Sequence, residues 1–193
     1  MRAVLVSLLL LCATPAFATP AAAGPESIDM SDATRPSNAE MTAIYDADQA
    51  VRMSKTPIDW KLVRPADRAR RTRTQELLGT GSLHSADDFY HAAYVYQHGD
   101  LPEDYLTAHA LAVIAAARGK PAAAWIAAAT LDRYLQSIGQ PQIYGTQFRR
   151  STGSDWSQEP YRRDLLSDAL RRANGVPPIA EQEEKRKGLP TQP

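Results

Sequence analysis

"LPEDYLTAHALAVIAAARGKPAAAWIAAATLDRYLQSIG", residues Leu101 to Gly139, decides the fold. Pro102 opens a run that stops at Gly119, and Pro121 opens a second that stops at Gly139. Proline suits the first turn of a helix, where its missing N–H would have no partner. Glycine suits the residue just past the end. The stretch therefore reads as two consecutive helices, the fourth and fifth of the chain. Ala108, Ala112, Ala115, Ala124 and Ala128 are the expected contacts between them, because small side chains let two helices approach closely.

The same grammar extends outward. Upstream, Ser85 starts a third helix, with Asp87 and Asp88 in the first turn, where the helix dipole favours anions. That helix reaches about His98 and stops at Gly99-Asp100. Further upstream "SNAE", Ser37 to Glu40, reads as a capping box with Ser37 as the cap. Met41, Ile44, Tyr45, Val51 and Met53 follow at helical spacing, which predicts a first helix over Asn38 to Met53. "KTPIDW" breaks it, and a second helix begins at Asp59 or Arg64, with Pro65 in its first turn. Downstream, Pro160 to Ala173 fits a last helix, ended by Asn174-Gly175. No alternating apolar run survives, so the expected fold is all-α: about six helices in antiparallel hairpins, forming a single domain over residues 37–178. "IAEQEEKRKGLPTQP", from Ile179 onward, is charged and poor in apolar residues, and predicts a loose tail over 179–193.

The N-terminus supplies an address. Arg2 precedes an apolar stretch, Ala3 to Ala13, and Ala16-Phe17-Ala18 is a small-x-small cleavage signal. Residues 1–18 read as a signal peptide cut after Ala18, and residues 19–36 as a flexible leader. The mature protein is expected in the periplasm or outside the cell, and the Ala-, Arg- and Pro-rich composition points to a bacterium. Cleavage removes Cys12, the only cysteine, so the mature chain has no disulfide or thiol chemistry. The 22 basic and 22 acidic residues balance, so no net field attracts nucleic acid or a membrane surface. Beyond the signal no segment is apolar enough to span a membrane.

Two resemblances follow. "HAAYVYQHGDLPEDYLTAHALAVIAAARGKPAAAWIAAATLDRYL", His91 to Leu135, resembles about one unit of a Sel1-like repeat, a relative of the tetratricopeptide helix pair. "DADQAVR" at Asp46 to Arg52, "QHG" at Gln97 to Gly99, "DRYL" at Asp132 to Leu135 and "GQPQIYGTQ" at Gly139 to Gln147 together resemble a bacterial exported family known only as a domain of unknown function. The resemblance implies a helical fold and brings no activity with it.

The residues offer two chemistries. His91 and His98, seven apart, share a helix face. Asp132 lies seven after Trp125 on the fifth helix, on a partly apolar face where a carboxylate needs a partner. Arg133, a histidine or the N–H groups of "PQIYGTQ" could supply one. A His91 or His98 pair with Asp132 would suit a hydrolase using general acid–base chemistry. The alternative is a binding module. Gln140, Gln142, Tyr144, Thr146 and Gln147, with Arg133, would then line a groove for a peptide, protein or glycan. Neither HExxH, paired cysteines nor an acidic calcium loop is present, so no metal or cofactor is expected. "DRARRTR", Asp67 to Arg73, predicts internal salt bridges or a solvated face, with Arg71 reaching Asp48 or Asp132.

Overall fold

The structure is a computed structural model and describes residues 35–190. The expected signal peptide, and the leader up to residue 34, lie outside the described residues. Among the described residues seven helices make up the regular structure, and there is no sheet. They are α1 (Ala39–Met53), α2 (Trp60–Gly79), α3 (Ala86–Tyr96), α4 (Pro102–Ala117), α5 (Ala123–Ser137), α6 (Asp168–Ala173) and α7 (Ile179–Lys187). The fold is all-α, as expected.

The quoted stretch forms the hairpin α4–α5, and α3 packs on the other side of α4. Ala108, Ala112 and Ala115 of α4 and Ala123 of α5 are completely buried, so backbone lies close to backbone there. Ala128 is buried as well, while Ala124 is only half covered. Ile126 fills the space between the alanines, and Phe89, Val95 and Leu111 complete this layer. Helices α1 and α2 cover α3 from outside, placing Met41 and Leu77 in the same core.

Capping explains the helix starts and corrects one of them. Ser85 and Asp88 form the reciprocal box at α3. At α1 the cap is Asn38, whose side chain accepts from the Met41 N–H at 3.0 Å. Ser37 instead meets the Ser85 hydroxyl, and Glu40 pairs with Arg73. The predicted box is thus displaced by one residue because Ser37 and Glu40 have tertiary partners. Asp59 caps α2, so Pro65 lies in its second turn, not its first.

The C-terminal third departs most from expectation. Residues 160–167 are not helical. Gln142 and Tyr161 form an isolated parallel bridge, with Gln142 N–H donating to Pro160 O and Arg162 N–H to Gln142 O. These bonds take the groups a helix would need, and α6 starts only where Ser167 caps it. The expected loose tail is also corrected. Ile179 to Lys187 is a helix, and Gln182 points from it into the protein, where it is buried. Few apolar residues are needed because the Gln182 amide is joined by the Glu183–Arg163 pair and the Arg186 bond to Trp156 O.

Candidate functional site

Asp132 organises the loop that follows α5. Its side chain is 0% exposed, and four donors surround it. Oδ1 accepts the N–H groups of Ile143 at 2.8 Å and Tyr144 at 3.0 Å. Oδ2 accepts the N–H and hydroxyl of Thr146 at 2.9 and 2.7 Å. A buried carboxylate is tolerated when its lone pairs are filled in this way.

The polar side chains of the loop turn inward too. Gln142 is fully buried; its Nε2 donates to Gln147 O and Gln158 O, and its Oε1 accepts from Gln147 N–H. Gln147 Nε2 donates to Ala129 O on α5 and to Thr146 Oγ1. Gly145, at φ 82°, permits the turn. A Cβ there would collide with Gln182 Oε1 and the Tyr161 ring. Gln158, Tyr161 and Gln182 close the far side, the last two both donating to Tyr144 O. Gln142, Thr146 and Gln147 therefore hold the loop together, whereas Gln140 is exposed and Tyr144 half-buried.

The histidines do not join Asp132; neither His91 nor His98 is hydrogen-bonded or ion-paired to it. His91 stacks on Tyr45, ring centroids 4.2 Å apart, beside Tyr90. Burial lowers its pKa, and its Nδ1 has no partner. His98 Nε2 faces Asp48 Oδ2 at 3.5 Å without forming a hydrogen bond. Burial, reinforced by Arg52, Arg133, Arg70 and Arg71, takes the His98 pKa down to about 2. The expected His–Asp132 pair is corrected by this geometry: the loop occupies Asp132, and the helix ends carry the histidines elsewhere.

Around His98 lies a layer of ion pairs. Arg52 bridges Asp48 at 2.9 Å and Asp67 at 2.8 Å. Arg70 also pairs with Asp67. Arg71 reaches Asp100 at 2.8 Å and donates to His98 O, and does not contact Asp48 or Asp132. Burial raises the Asp48 pKa to about 6, Arg52 opposing and Asp67 assisting. This layer walls an open cleft of about 370 Å³, lined among others by Arg52, Trp60, Arg64, His98, Tyr105 and Arg133.

Arg133 is the partly buried cleft arginine that has no counter-charge among the described residues. It follows Asp132, and one helical step of about 100° turns it from the loop to the cleft. Its Nε is buried with no hydrogen-bond partner. Burial lowers its pKa, with Arg149 and Arg52 adding to the effect. The "DR" pair thus splits: the acid holds the loop and the base faces the cleft. The i,i+4 spacing of Asp48 and Arg52 was a readable signal for the ion-pair layer. Nothing local marked Trp60 or Tyr105 as cleft residues, because they come from separate helices.

No group of three or more His, Cys, Asp or Glu residues that could hold a metal ion occurs among the described residues. No described helix is long and apolar enough to cross a membrane. No family model, curated protein or solved structure matches the chain.

Proposed function

We propose that the protein is an exported binding module that acts in the periplasm or outside the cell and holds a peptide or glycan in the cleft beside His98. The observation that carries this reading is the chemistry of the cleft. Its walls are fixed by ion pairs, its rim offers the exposed Trp60, and Arg133 lines it with a guanidinium that has no partner among the described residues. Fixed walls and a few unsatisfied polar groups are the usual makings of a ligand site. A histidine with a pKa of about 2 is a poor general base at neutral pH, which favours binding over hydrolysis. The resemblance of the His91 to Leu135 stretch to a Sel1-like repeat unit is consistent with a helical recognition surface. The test is an NMR titration of isotope-labelled protein with cell-wall glycopeptides and short peptides. Shifts at Trp60, His98 and Tyr105 are the expected result. Saturating amounts of both classes without a shift at these residues would overturn the reading.

A further inference from the structure

We propose that the cleft binds a carboxylate, and that Arg133 is the residue that receives it. The inference deepens the binding reading by naming the group recognised. It rests on a comparison among neighbouring arginines. Arg52 has Asp48 and Asp67, Arg70 has Asp67, and Arg71 has Asp100. Arg133 has no hydrogen bond or ion pair among the described residues, although its Nε is sealed from water.

Leaving a buried donor unmade is costly, and more so for a charged group. The cost is compounded here because Arg52 lies close enough to repel. The acids on the cleft wall cannot relieve it. Asp67 is already shared by Arg52 and Arg70, and Asp100 by Arg71. An anion bound where Arg133 lines the cleft supplies the missing counter-charge.

Charge and shape select the anion. Arg133 is the one cleft arginine whose guanidinium is partly buried and has no partner among the described residues, and a single guanidinium matches a single negative charge. The planar guanidinium fork also matches a planar carboxylate, with two parallel N–H···O bonds. Arg64, exposed on the cleft lining and without an ion pair among the described residues, adds long-range attraction. Trp60, 52% exposed, offers a flat apolar face to the body of the ligand. Tyr105 donates its hydroxyl to Gly99 O, so its oxygen is left to accept from the body of the ligand. The ligand class is therefore a small organic acid, such as a peptide C-terminus or an acidic sugar.

The test uses calorimetry with paired probes: alanyl-alanine against its C-terminal amide, and glucuronate against glucose. At least one acid should bind, and its neutral counterpart should bind about tenfold or more weakly. The arm that responds identifies the peptide or the sugar source. Arg133→Gln should abolish the preference, and Arg133→Lys, which keeps charge but loses the fork, should weaken it. Denaturant unfolding of both variants checks that the fold persists. The proposal is overturned by a neutral probe that binds as well as its acid, or by full affinity in Arg133→Gln. It is also overturned if inorganic phosphate binds and neither acid does. A glycopeptide that shifts Trp60 equally in the wild type and Arg133→Gln sinks the carboxylate assignment and leaves the binding module standing. Silence of the cleft towards every probe and glycopeptide sinks both.

Discussion

Thr146 gives Asp132 two hydrogen bonds at once, one from its N–H and one from its hydroxyl, both to Oδ2. With Ile143 and Tyr144 on Oδ1, the carboxylate acts as the centre about which the loop folds. Asp132→Asn keeps the shape but replaces one oxygen by an amide nitrogen that cannot accept. One side of the loop then loses its acceptor in a buried place. The expected loss is about 3 kcal/mol, on the scale of charged hydrogen bonds. Thr146→Val should cost less, about 1 kcal/mol, because it removes one bond of the four. Urea unfolding of both variants checks the ranking; an Asp132→Asn protein as stable as the wild type would refute the anchoring role.

The cleft arginine should behave in the opposite way. Arg133 is desolvated and has no carboxylate, so in the absence of ligand it opposes folding. Arg133→Met keeps most of the packing of the stem and deletes the charge. The apo protein should gain about 1 kcal/mol, within the range seen when buried charges are replaced by apolar residues. Calorimetric melting checks this, and a clear loss of stability would show that Arg133 serves the fold.

The core and the hairpins were readable because their signals are local. Pro102, Gly119 and Gly139 punctuate the helices, and the alanines mark the contact faces, without reference to any distant residue. Asp132 was readable as a carboxylate in need of a partner, but not through Trp125, which is 39% exposed while Asp132 is fully buried. The C-terminal segment does reach this part of α5, with Gly175 close to Trp125. What covers it was not readable. The bridge between Gln142 and Tyr161, and the burial of Arg171 and Gln182, are tertiary events that override local helical patterning. The histidines misled because equal spacing gives a shared face but says nothing about which helix meets it.

His98 and Asp48 make stability depend on pH with opposite signs. The His98 pKa is lowered on folding, so its contribution is intact above about pH 6.5, the ordinary histidine value. It is lost progressively below that, where the unfolded chain takes up a proton and the folded one does not. Asp48 is raised to about 6, so its contribution is present below the ordinary aspartate pKa and is lost as pH rises towards 6. Between about pH 4 and 6 the two offset each other. His98→Gln should therefore look about 2 kcal/mol better, relative to the wild type, at pH 5 than at pH 7.5. Asp48→Asn should make the fall in stability on acidification steeper. Urea midpoints across this range check both signs; a His98→Gln difference that does not vary with pH would refute the first.

Ala112 is completely buried in α4, between α3 and α5. Leucine there adds volume where the helix axes are already close, and overpacking of this kind costs about 1–3 kcal/mol. Val113, the next residue, is 48% exposed, and Val113→Leu should change stability by less than about 0.5 kcal/mol. Paired thermal melts provide the contrast, and equal effects at the two sites would mean that the α4 contact face has been misplaced.

Gln182 is the one buried side chain of the last helix, which Glu183 and Arg186 also tie to Arg163 and Trp156 O at the surface. Its Nε2 donates to Tyr144 O at 2.9 Å and Pro177 O at 2.7 Å, and its Oε1 accepts from Gln158 Nε2 at 2.9 Å. The outer face of α7 is charged, with Lys185, Arg186 and Lys187 in its last turn, so little apolar packing is available to replace these bonds. Gln182→Ala leaves Gln158 Nε2 with Gly145 O alone and withdraws one donor from Tyr144 O, which keeps the Tyr161 hydroxyl. The expected global cost is about 2 kcal/mol. The local effect should be larger, since α7 can detach without disturbing the α3–α5 core. Limited trypsin digestion reads this directly, because cleavage at Lys185, Arg186 or Lys187 needs the helix to open. The wild type should be cut slowly there, and Gln182→Ala markedly faster, while the α4–α5 hairpin stays intact in both. Equal cleavage rates would show that α7 is held by something other than Gln182.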